Sequence, residues 1–490
     1  MRAALRSPRR LRIEVLGGLV VALALIPEAI SFSIIAGVDP RVGLFASFTM
    51  AVSISVLGGR PAMISAATGA VALVVAPVVR EHGLDHLIAT VILAGVLQVV
   101  LGGLGVARLM RFVPRSVMVG FVNSLAILIF LAQVPHLVGV PWLVYPLVVV
   151  GIVVMALLPR VRIGIVAAVP APLVAIVALT LFTVLAAVAV PTVGDQGSLP
   201  DSLPTLLLPD VPLTLETLQI IAPYALAMAL VGLMESLMTA TLVDDVTDTS
   251  SSKTREVWGQ GAANVITGFF GGMGGCAMIG QTMINVKTAG ARTRISTFLA
   301  GVFLLVLVVG LGDVVAVIPM AALVAVMIMV SVGTMDWHSI RPTTLRRMPR
   351  SETLVMLVTV VVVVMTHNLA IGVIVGVVVA TGLFARRVAH FTTVTQVAHP
   401  DIDTVVYAVE GELFFASSND LVTQFDYAGD PVNVVVDLSR SHIWDASSVA
   451  TLDAVTTRYA ARGKTVTVTG LNEASQARHD RLAGHLTGSH

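Results

Sequence analysis

The sequence predicts a polytopic α-helical membrane protein, with fourteen transmembrane segments in two sets of seven and a soluble α/β domain at the C-terminal end. Three observations predict it. Hydrophobic residues make up 56% of the 490 residues and charged residues only 12%, against about a quarter charged in soluble domains; the mean hydropathy is +0.93. The basic residues gather in alternate connections between the apolar runs. Near residue 393 the composition changes to that of a soluble domain.

A span needs about 17–25 apolar residues, fewer where a helix is interrupted. The first set of segments reads as 16–36, 42–58, 65–79, 86–107, 116–135, 142–159 and 164–190. The second reads as 219–241, 257–273, 277–289, 297–312, 313–333, 353–367 and 368–388. With a cytoplasmic N-terminus, the even-numbered connections should carry the lysines and arginines. They carry Arg60, then Arg108, Arg111 and Arg115, then Arg160 and Arg162, then Lys253 and Arg255. Further on they carry Lys287, Arg292 and Arg294, then Arg341, Arg346, Arg347 and Arg350, and last Arg386 and Arg387. Arg80 is the clear exception. One miscounted span would invert every later loop, so the pattern supports an even count with both termini cytoplasmic. Arg2, Arg6, Arg9, Arg10 and Arg12 precede a long first apolar run without a cleavage site, so no removable signal is expected.

The longest odd connection, 191–218, is proline-rich and acidic through Asp195, Asp201, Asp210 and Glu216, and it separates the two sets of seven. Seven is odd, so equivalent halves must be inverted relative to each other. Segments 3 and 10 echo one another in Ser65-Ala-Ala-Thr-Gly-Ala70 and Gly275-Cys-Ala-Met-Ile-Gly280, and segments 1 and 8 each carry one glutamate, Glu28 and Glu235.

Segment 10 is the functional stretch. The glycines of 271–275 feed a short run bearing Gln281, Thr282, Asn285 and Lys287, too polar to face lipid. Irregular backbone at membrane depth survives only where it is buried in protein or lines a cavity. A helix that starts there points free N–H groups and its positive end into that cavity, which suits an anion. Discontinuous helices of this kind mark the binding site of secondary transporters. Gln281 and Thr282 open the half-helix and read as site-lining rather than as interhelical glue. Lys287 reads as snorkelling to the cytoplasmic face, and His367 as a solvated residue at an external turn.

Glu235 is the main candidate for a coupling ion. A mid-membrane carboxylate costs a few kcal/mol to insert and marks ion or proton pathways. Thr239 stands four residues on and shares its helix face. A desolvated carboxyl favours its neutral form, so Glu235 with Thr239 is expected to take H⁺; the alternative is a structural hydrogen bond to another segment. Glu28 follows Pro27, which frees backbone groups; it is read as either lining the site or bonding those groups.

Other functions are excluded. A net charge of +1 gives no basic footprint for nucleic acid. The single Cys276 allows no internal disulfide or multi-cysteine metal site, and it reads as a small packing residue. No nucleophile–base pair, phosphate loop or metal-ligand cluster is visible, so neither an enzyme nor a resident cofactor is expected.

In the soluble domain, Thr404–Val409, Glu412–Ala416, Val432–Leu438 and Lys464–Gly470 read as strands. Helical patterns fill 417–426, 446–461 and 472–486, with Asp445 as an N-cap.

These residues resemble the SulP (sulfate permease) family of anion transporters with a C-terminal STAS domain. The marks are Ile26-Pro-Glu-Ala-Ile-Ser-Phe32, Ala36-Gly-Val-Asp-Pro-Arg-Val-Gly-Leu44, Ile64-Ser-Ala-Ala-Thr-Gly-Ala70 and Glu235-Ser-Leu-Met-Thr239. Arg255-Glu-Val-Trp-Gly-Gln-Gly261, Asn285 and Gly290-Ala-Arg-Thr follow, and Asp445-Ala-Ser-Ser448 is similar to the STAS signature loop. Each motif is weak alone; their order and spacing are specific over nearly the whole chain.

The resemblance implies a homodimer in the bacterial cytoplasmic membrane, with a transport domain over 1–390 and a cytoplasmic STAS domain over 393–490. A core of segments 1–4 and 8–11 would move against a gate of segments 5–7 and 12–14, in an elevator motion. The anion would sit between the facing N-termini of segments 3 and 10, bounded by segments 1 and 8. Carried over residue by residue, that site comprises Glu28 and Phe32; Ala67, Thr68 and Gly69; and Ala277, Met278, Ile279, Gly280, Gln281 and Thr282. Family substrates include sulfate, bicarbonate, chloride and dicarboxylates.

Two positions depart from the common pattern. Many members have Gln where Glu28 stands and Arg where Gln281 stands, so the substrate does not follow from the resemblance. Sodium-dependent bicarbonate members have Asp at the Glu235 position and a hydroxyl near Ile279. The alternative coupling ion is therefore Na⁺, held by Glu235, Thr239, Ala277 and Ile279. Ser447 falls where STAS proteins of the anti-sigma-antagonist type are phosphorylated; the alternative is a helix-start serine satisfying backbone donors. The domain reads as shortened, because a full STAS domain adds a strand and a helix. The expected partners are a small anion, membrane lipid, a second copy and a cytoplasmic partner of the STAS domain. A nucleobase symporter, an uncoupled anion channel and a signalling scaffold are the competing readings.

Overall fold

The computed structural model describes residues 7–108, 113–158, 170–212, 214–389, 392–401, 403–415, 417 and 421–485. Arg2, Arg6, Arg111, Arg160 and Arg162 lie outside the described residues, as do the start of segment 7, residues 416 and 418–420 and the last residue of the expected helix 472–486.

Segment 1 is Pro8–Ala36 and ends at Gly37, whose φ of 79° is the left-handed stop that glycine allows. Segment 2 is Pro40–Leu57. A two-residue strand, β1 (Ser65–Ala66), precedes segments 3 and 4, which run as Gly69–Gly103 and are separated by a kink at Gly83, with φ 82°. Segment 5 is Arg115–Leu131, segment 6 Val144–Leu157 and segment 7 Ala171–Leu185. Segments 8 and 9 are Leu215–Thr247 and Lys253–Phe269. Strand β2 (Cys276–Ala277) precedes segment 10, a short α-helix Ile279–Met283 that passes into a π-helical turn, Ile284–Thr288. Segment 11 is Arg294–Gly310, segment 13 Arg350–Thr366 and segment 14 Leu369–Ala389. Among the described residues, six helices are long and apolar enough to cross a membrane, and four shorter ones are also apolar.

Segment 12 differs from the continuous 313–333 that its hydropathy predicts. It consists of Gly312–Ala316 and Met320–Thr334. Pro319 explains the break, because proline lacks an N–H and disfavours helix in the residue before it. The freed backbone is taken up by the linker: Val193 N–H donates to the Ile318 carbonyl at 2.9 Å, and Met320 N–H to the Pro191 carbonyl at 2.9 Å.

Packing sorts the segments into two groups. Segments 3 and 4 lie on 8 and 9, and segment 11 on 1 and 2; separately, segment 5 packs on 13 and 12, and segment 6 on 7 and 12. Segments 4 and 9 touch glycine to glycine: a Cβ on Gly95 or on Gly261 would stand 2.6 Å from the other's carbonyl oxygen. Without a hydrophobic drive between helices in lipid, such close backbone approach is what holds them.

The chain divides into two compact units, Met1–Val377 and Val378–His490. The second holds a sheet in the order β3 (Thr393–Asp401), β4 (Thr404–Leu413), β5 (Asn433–Ile443), β6 (Thr465–Thr469). The β3–β4 pair is antiparallel and the other two are parallel. Helices Ala446–Ala460 and Glu473–Leu482 follow. Asp445 is the N-cap and accepts from Ser448 N–H at 3.0 Å. One expectation needs correcting. The two strands expected at 404–409 and 412–416 are one strand, carried past Gly411 (φ 114°) by a register shift between Ala408 and Glu410. Within 417–426, the described residues Ser417 and Leu421 are helical and a 3₁₀ turn, Val422–Gln424, follows. Strand β3 had no counterpart in the sequence reading.

Candidate functional site

Segments 3 and 10 meet where their extended lead-ins cross. Strands β1 and β2 pair antiparallel, Ser65 with Ala277 and Ala66 with Cys276. At Gly275 an added Cβ would lie 2.0 Å from the Ala66 carbonyl oxygen, so only glycine lets the two chains pass. Every bond of this exposed backbone has to be met inside the protein. Ile64 carbonyl accepts from Met278 N–H at 2.8 Å, Ser236 Oγ from Ala277 N–H at 3.1 Å, and Ser47 Oγ from Ala67 N–H at 3.2 Å. Asn264 brackets Gly275, its Nδ2 donating to the carbonyl at 3.0 Å and its Oδ1 accepting from the N–H at 2.9 Å, while Nδ2 also donates to Gln98 Oε1 at 2.9 Å. From the Arg255–Gly261 motif, Gln260 Nε2 donates to Ser65 Oγ at 2.7 Å and to Glu256 Oε1 at 2.8 Å. Glu256 Oε2 in turn accepts from the N–H groups of Gly59 and Arg60.

From this crossing the half-helices start. Thr68 caps one, its Oγ1 accepting from Val71 N–H at 3.3 Å; Met278 precedes the other. The N–H groups of each first turn, Gly69 and Ala70 on one side and Ile279, Gly280 and Gln281 on the other, have no partners within their own helices. A cavity of about 420 Å³ opens beside them. Glu28, Phe32, Thr68, Gly69, Glu235, Met278, Ile279, Gly280 and Gln281 line it.

Four expected positions lie elsewhere. Ala67 and Ala277 are buried and donate their N–H groups to serines, as above. Thr282 Oγ1 accepts from Ile64 N–H at 3.0 Å, tying the half-helix to the other lead-in. The Thr239 hydroxyl donates to the carbonyl of Glu235 at 2.8 Å, back along its own helix. Of the four positions weighed for sodium, Glu235 and Ile279 line the cavity. Among the described residues no cluster of three His, Cys, Asp or Glu could hold a metal ion.

The opposite wall was missed. Phe121, Val122, Leu125 and Ile129 of segment 5, with Val330, Gly333 and Thr334 of segment 12, complete the cavity. Their apolar character carries no signal in a chain where most residues are apolar. Met238 also lines it, and its place three residues after Glu235 on one helix face was a readable signal.

The electrostatics are unusual for an anion site. The only charged side chains lining the cavity, among the described residues, are the carboxylates Glu28 and Glu235. Gln281 and Glu28 line the same cavity. Cys276 Sγ donates to Glu235 Oε2 at 2.9 Å and lies 3.1 Å from Thr68 Oγ1. Positive potential therefore comes from helix ends, and two carboxylates oppose it.

In the second unit, Ser447 is exposed, whereas Ser448 is buried with its Oγ donating to Asp445 Oδ1 at 2.9 Å. The helix-start role weighed for Ser447 is filled by Asp445, whose Oδ1 accepts from Ser448 N–H.

Two half-helices starting head to head beside a mid-protein cavity, in a bundle of apolar helices, define a membrane transporter of the crossed-helix type. The sulfate permease family pattern matches residues 11–144 and 141–359, and the STAS domain pattern matches 394–483. The chain belongs to the sulfate permease family, a family of transporters rather than enzymes. It is 51% identical to Bacillus subtilis YbaR, which carries a provisional name as a sulfate transporter, over 96% of this chain and 97% of that protein. The bicarbonate transporter BicA of a Picosynechococcus strain is 25% identical over 91% of this chain and 86% of its own. Among solved structures, the transmembrane domain of a cyanobacterial BicA is similar with a TM-score of 0.64 at 24% identity, covering 76% of this chain and 98% of that one. Murine Slc26a9, an anion transporter in its inward-facing state, gives 0.79 at 16% identity, covering 96% and 87%. These two likenesses show the fold.

Proposed function

We propose that this chain is a secondary active transporter of a small anion (sulfate, bicarbonate or a dicarboxylate) in the bacterial cytoplasmic membrane, coupled to H⁺ through Glu235. The observation that carries it is the pairing of two helix N-termini with two carboxylates in one cavity. An anion entering beside ionised Glu28 and Glu235 meets like charge at short range in a medium where Coulomb forces are little screened. Binding a proton at Glu235 removes one of those charges, so anion and proton favour each other's binding. By linkage the effect is reciprocal, which is what symport requires. The names of the relatives, sulfate and bicarbonate transporters, support the substrate class. In this reading the core group of segments carries the anion past the gate group, the chain works as a dimer, and both termini with the STAS domain face the cytoplasm.

The test is uptake of radiolabelled sulfate, bicarbonate and fumarate into proteoliposomes, driven by an inward pH gradient or an inward Na⁺ gradient, for wild type and Glu235→Gln. Uptake driven by the pH gradient and lost in Glu235→Gln is expected. Driven uptake that survives the substitution moves the coupling site away from Glu235. Uptake that responds to Na⁺ alone replaces the proton with sodium, and no uptake of any of the three overturns the substrate class.

A further inference from the structure

One side chain joins the two ends of the site. Cys276 lies on β2 at the crossing point, fully buried, with Glu235 on one side of its sulfur and Thr68 on the other. Both neighbours line the cavity. Glu235 stands on segment 8, while Thr68 caps segment 3, whose first N–H groups face the site from the opposite half of the sequence.

Counting hydrogens fixes what this bridge does. A thiol carries one hydrogen. While Glu235 is ionised it can only accept, so the thiol hydrogen is committed to its Oε2. The contact between Thr68 and Cys276 must then be made by the threonine hydrogen, pointing at sulfur. Thr68 Oγ1 meanwhile accepts from Val71 N–H. In that state Thr68 offers nothing to an anion. When Glu235 takes a proton from solution it becomes a donor and can give that hydrogen to sulfur. The thiol hydrogen swings to Thr68 Oγ1, and the Thr68 hydroxyl hydrogen is released toward the cavity that the residue lines. No bond to sulfur or oxygen is broken apart from the protonation of Glu235; the rest is rotation.

We propose that Cys276 is a positioning residue that converts protonation of Glu235 into a new hydrogen-bond donor, Thr68, for the anion. The inference rests on the reading of Glu235 as the proton site and supplies its mechanism. Electrostatic relief acts at a distance and treats all anions alike, whereas this relay adds a directed donor at the helix cap. Among the described residues, the other carboxylate on the cavity is Glu28, from segment 1, with the uncharged Gln281 on the same lining. Segments 4 and 9, packed on segment 8, bring the uncharged Gln98 and Asn264, and Glu256 of segment 9 is held by the backbone of Gly59 and Arg60.

The chain has one cysteine, so its S–H stretching band in the infrared reports Cys276 alone. The experiment is a pH titration of the purified full chain by difference infrared spectroscopy, for wild type, Glu235→Gln and Glu28→Gln. The expected result is an S–H band that shifts together with the appearance of a protonated carboxyl band, both lost in Glu235→Gln and both kept in Glu28→Gln. A carboxyl band that titrates while the S–H band stays fixed overturns the relay and leaves the proton site standing. Absence of any titrating carboxyl band removes the proton site itself, and the relay with it.

Affinity provides the second arm, measured for whichever of sulfate or bicarbonate the proteoliposomes accumulate. A hydrogen bond to a charged group is worth enough that binding should tighten roughly tenfold or more on acidification in wild type and in Cys276→Ser, which keeps a donor and acceptor. In Cys276→Ala, which leaves the Thr68 hydroxyl hydrogen without its sulfur acceptor at every pH, that extra tightening should largely disappear, with binding at high pH raised toward the acid value. An unaltered pH dependence in Cys276→Ala overturns the proposal, and so does a loss in Cys276→Ser equal to that in Cys276→Ala.

Discussion

Replacing Asn264 by leucine should loosen the crossing on which the site is built, and its size can be worked out from the contacts. The amide makes three hydrogen bonds, two to the backbone of Gly275 and one to Gln98, and it is fully buried. Leucine has the same branching and number of heavy atoms and is bulkier, so the loss is polar rather than a cavity. If each bond is worth the average measured between membrane helices, about 0.6 kcal/mol, the three together give about 2 kcal/mol. If instead the stranded N–H and carbonyl of Gly275 each carry a full desolvation penalty of about 1–3 kcal/mol, the total reaches about 2–6 kcal/mol. At roughly 2 °C per kcal/mol, the midpoint of thermal unfolding should fall by about 4–12 °C. The assay is thermal unfolding of the purified chain in detergent, followed by tryptophan fluorescence, with proteoliposome uptake measured alongside. Leucine removes both bonds to Gly275. A midpoint within about 1 °C of wild type would refute the claim that Asn264 holds the crossing.

Three further outcomes are expected. Gly275→Ala places a methyl group 2.0 Å from the Ala66 carbonyl oxygen and should abolish uptake and lower the yield of folded protein, whereas Gly280→Ala, with nothing within 4 Å of the added carbon, should fold normally and change only anion affinity; equal thermal midpoints for the two would contradict this. In the STAS unit, burial and a hydrogen bond to Asp430 push the Tyr407 hydroxyl up to about 12. Its folded value lies above the unfolded one, so its contribution is complete below about pH 10 and is lost as pH rises toward 12; absorbance titration should show a late phenolate step that Tyr407→Phe removes. Ser447→Ala should leave stability unchanged within about 0.5 kcal/mol, because Ser448 is the serine bonded to the cap, and a larger loss in chemical denaturation would reverse that assignment.

The half of the site contributed by polar and glycine-rich sequence was legible, and the half contributed by apolar sequence was not. Gln281 and Glu235 stood out because lipid does not tolerate them without a reason, Thr68 came from the family resemblance, and all three line the cavity. Phe121, Leu125 and Val330 line it too, yet an apolar side chain facing a cavity reads the same as one facing lipid or a neighbour. Polarity also misled: the hydroxyls of Thr239 and Thr282 are spent on backbone, one along its own helix and one across to Ile64. Helix spans were readable from hydropathy wherever proline did not intervene, and Pro319 divided the one that failed. In the soluble unit, Gly411 looked like the end of a strand, whereas the register shift beside it lets β4 continue to Leu413.

The pairing of β1 with β2 bears on direction as well as on binding. Because Ser65 is tied to Ala277 and Ala66 to Cys276, the two helix ends that would hold an anion cannot separate from each other. Whatever displacement the core undergoes, both ends travel together and the electric environment of the cargo travels with them. A carrier built this way presents the same grip on either face of the membrane. Under the proposed H⁺ coupling, its net flux is set by the anion and proton gradients it meets, so reversing those gradients should make the same molecule run backwards.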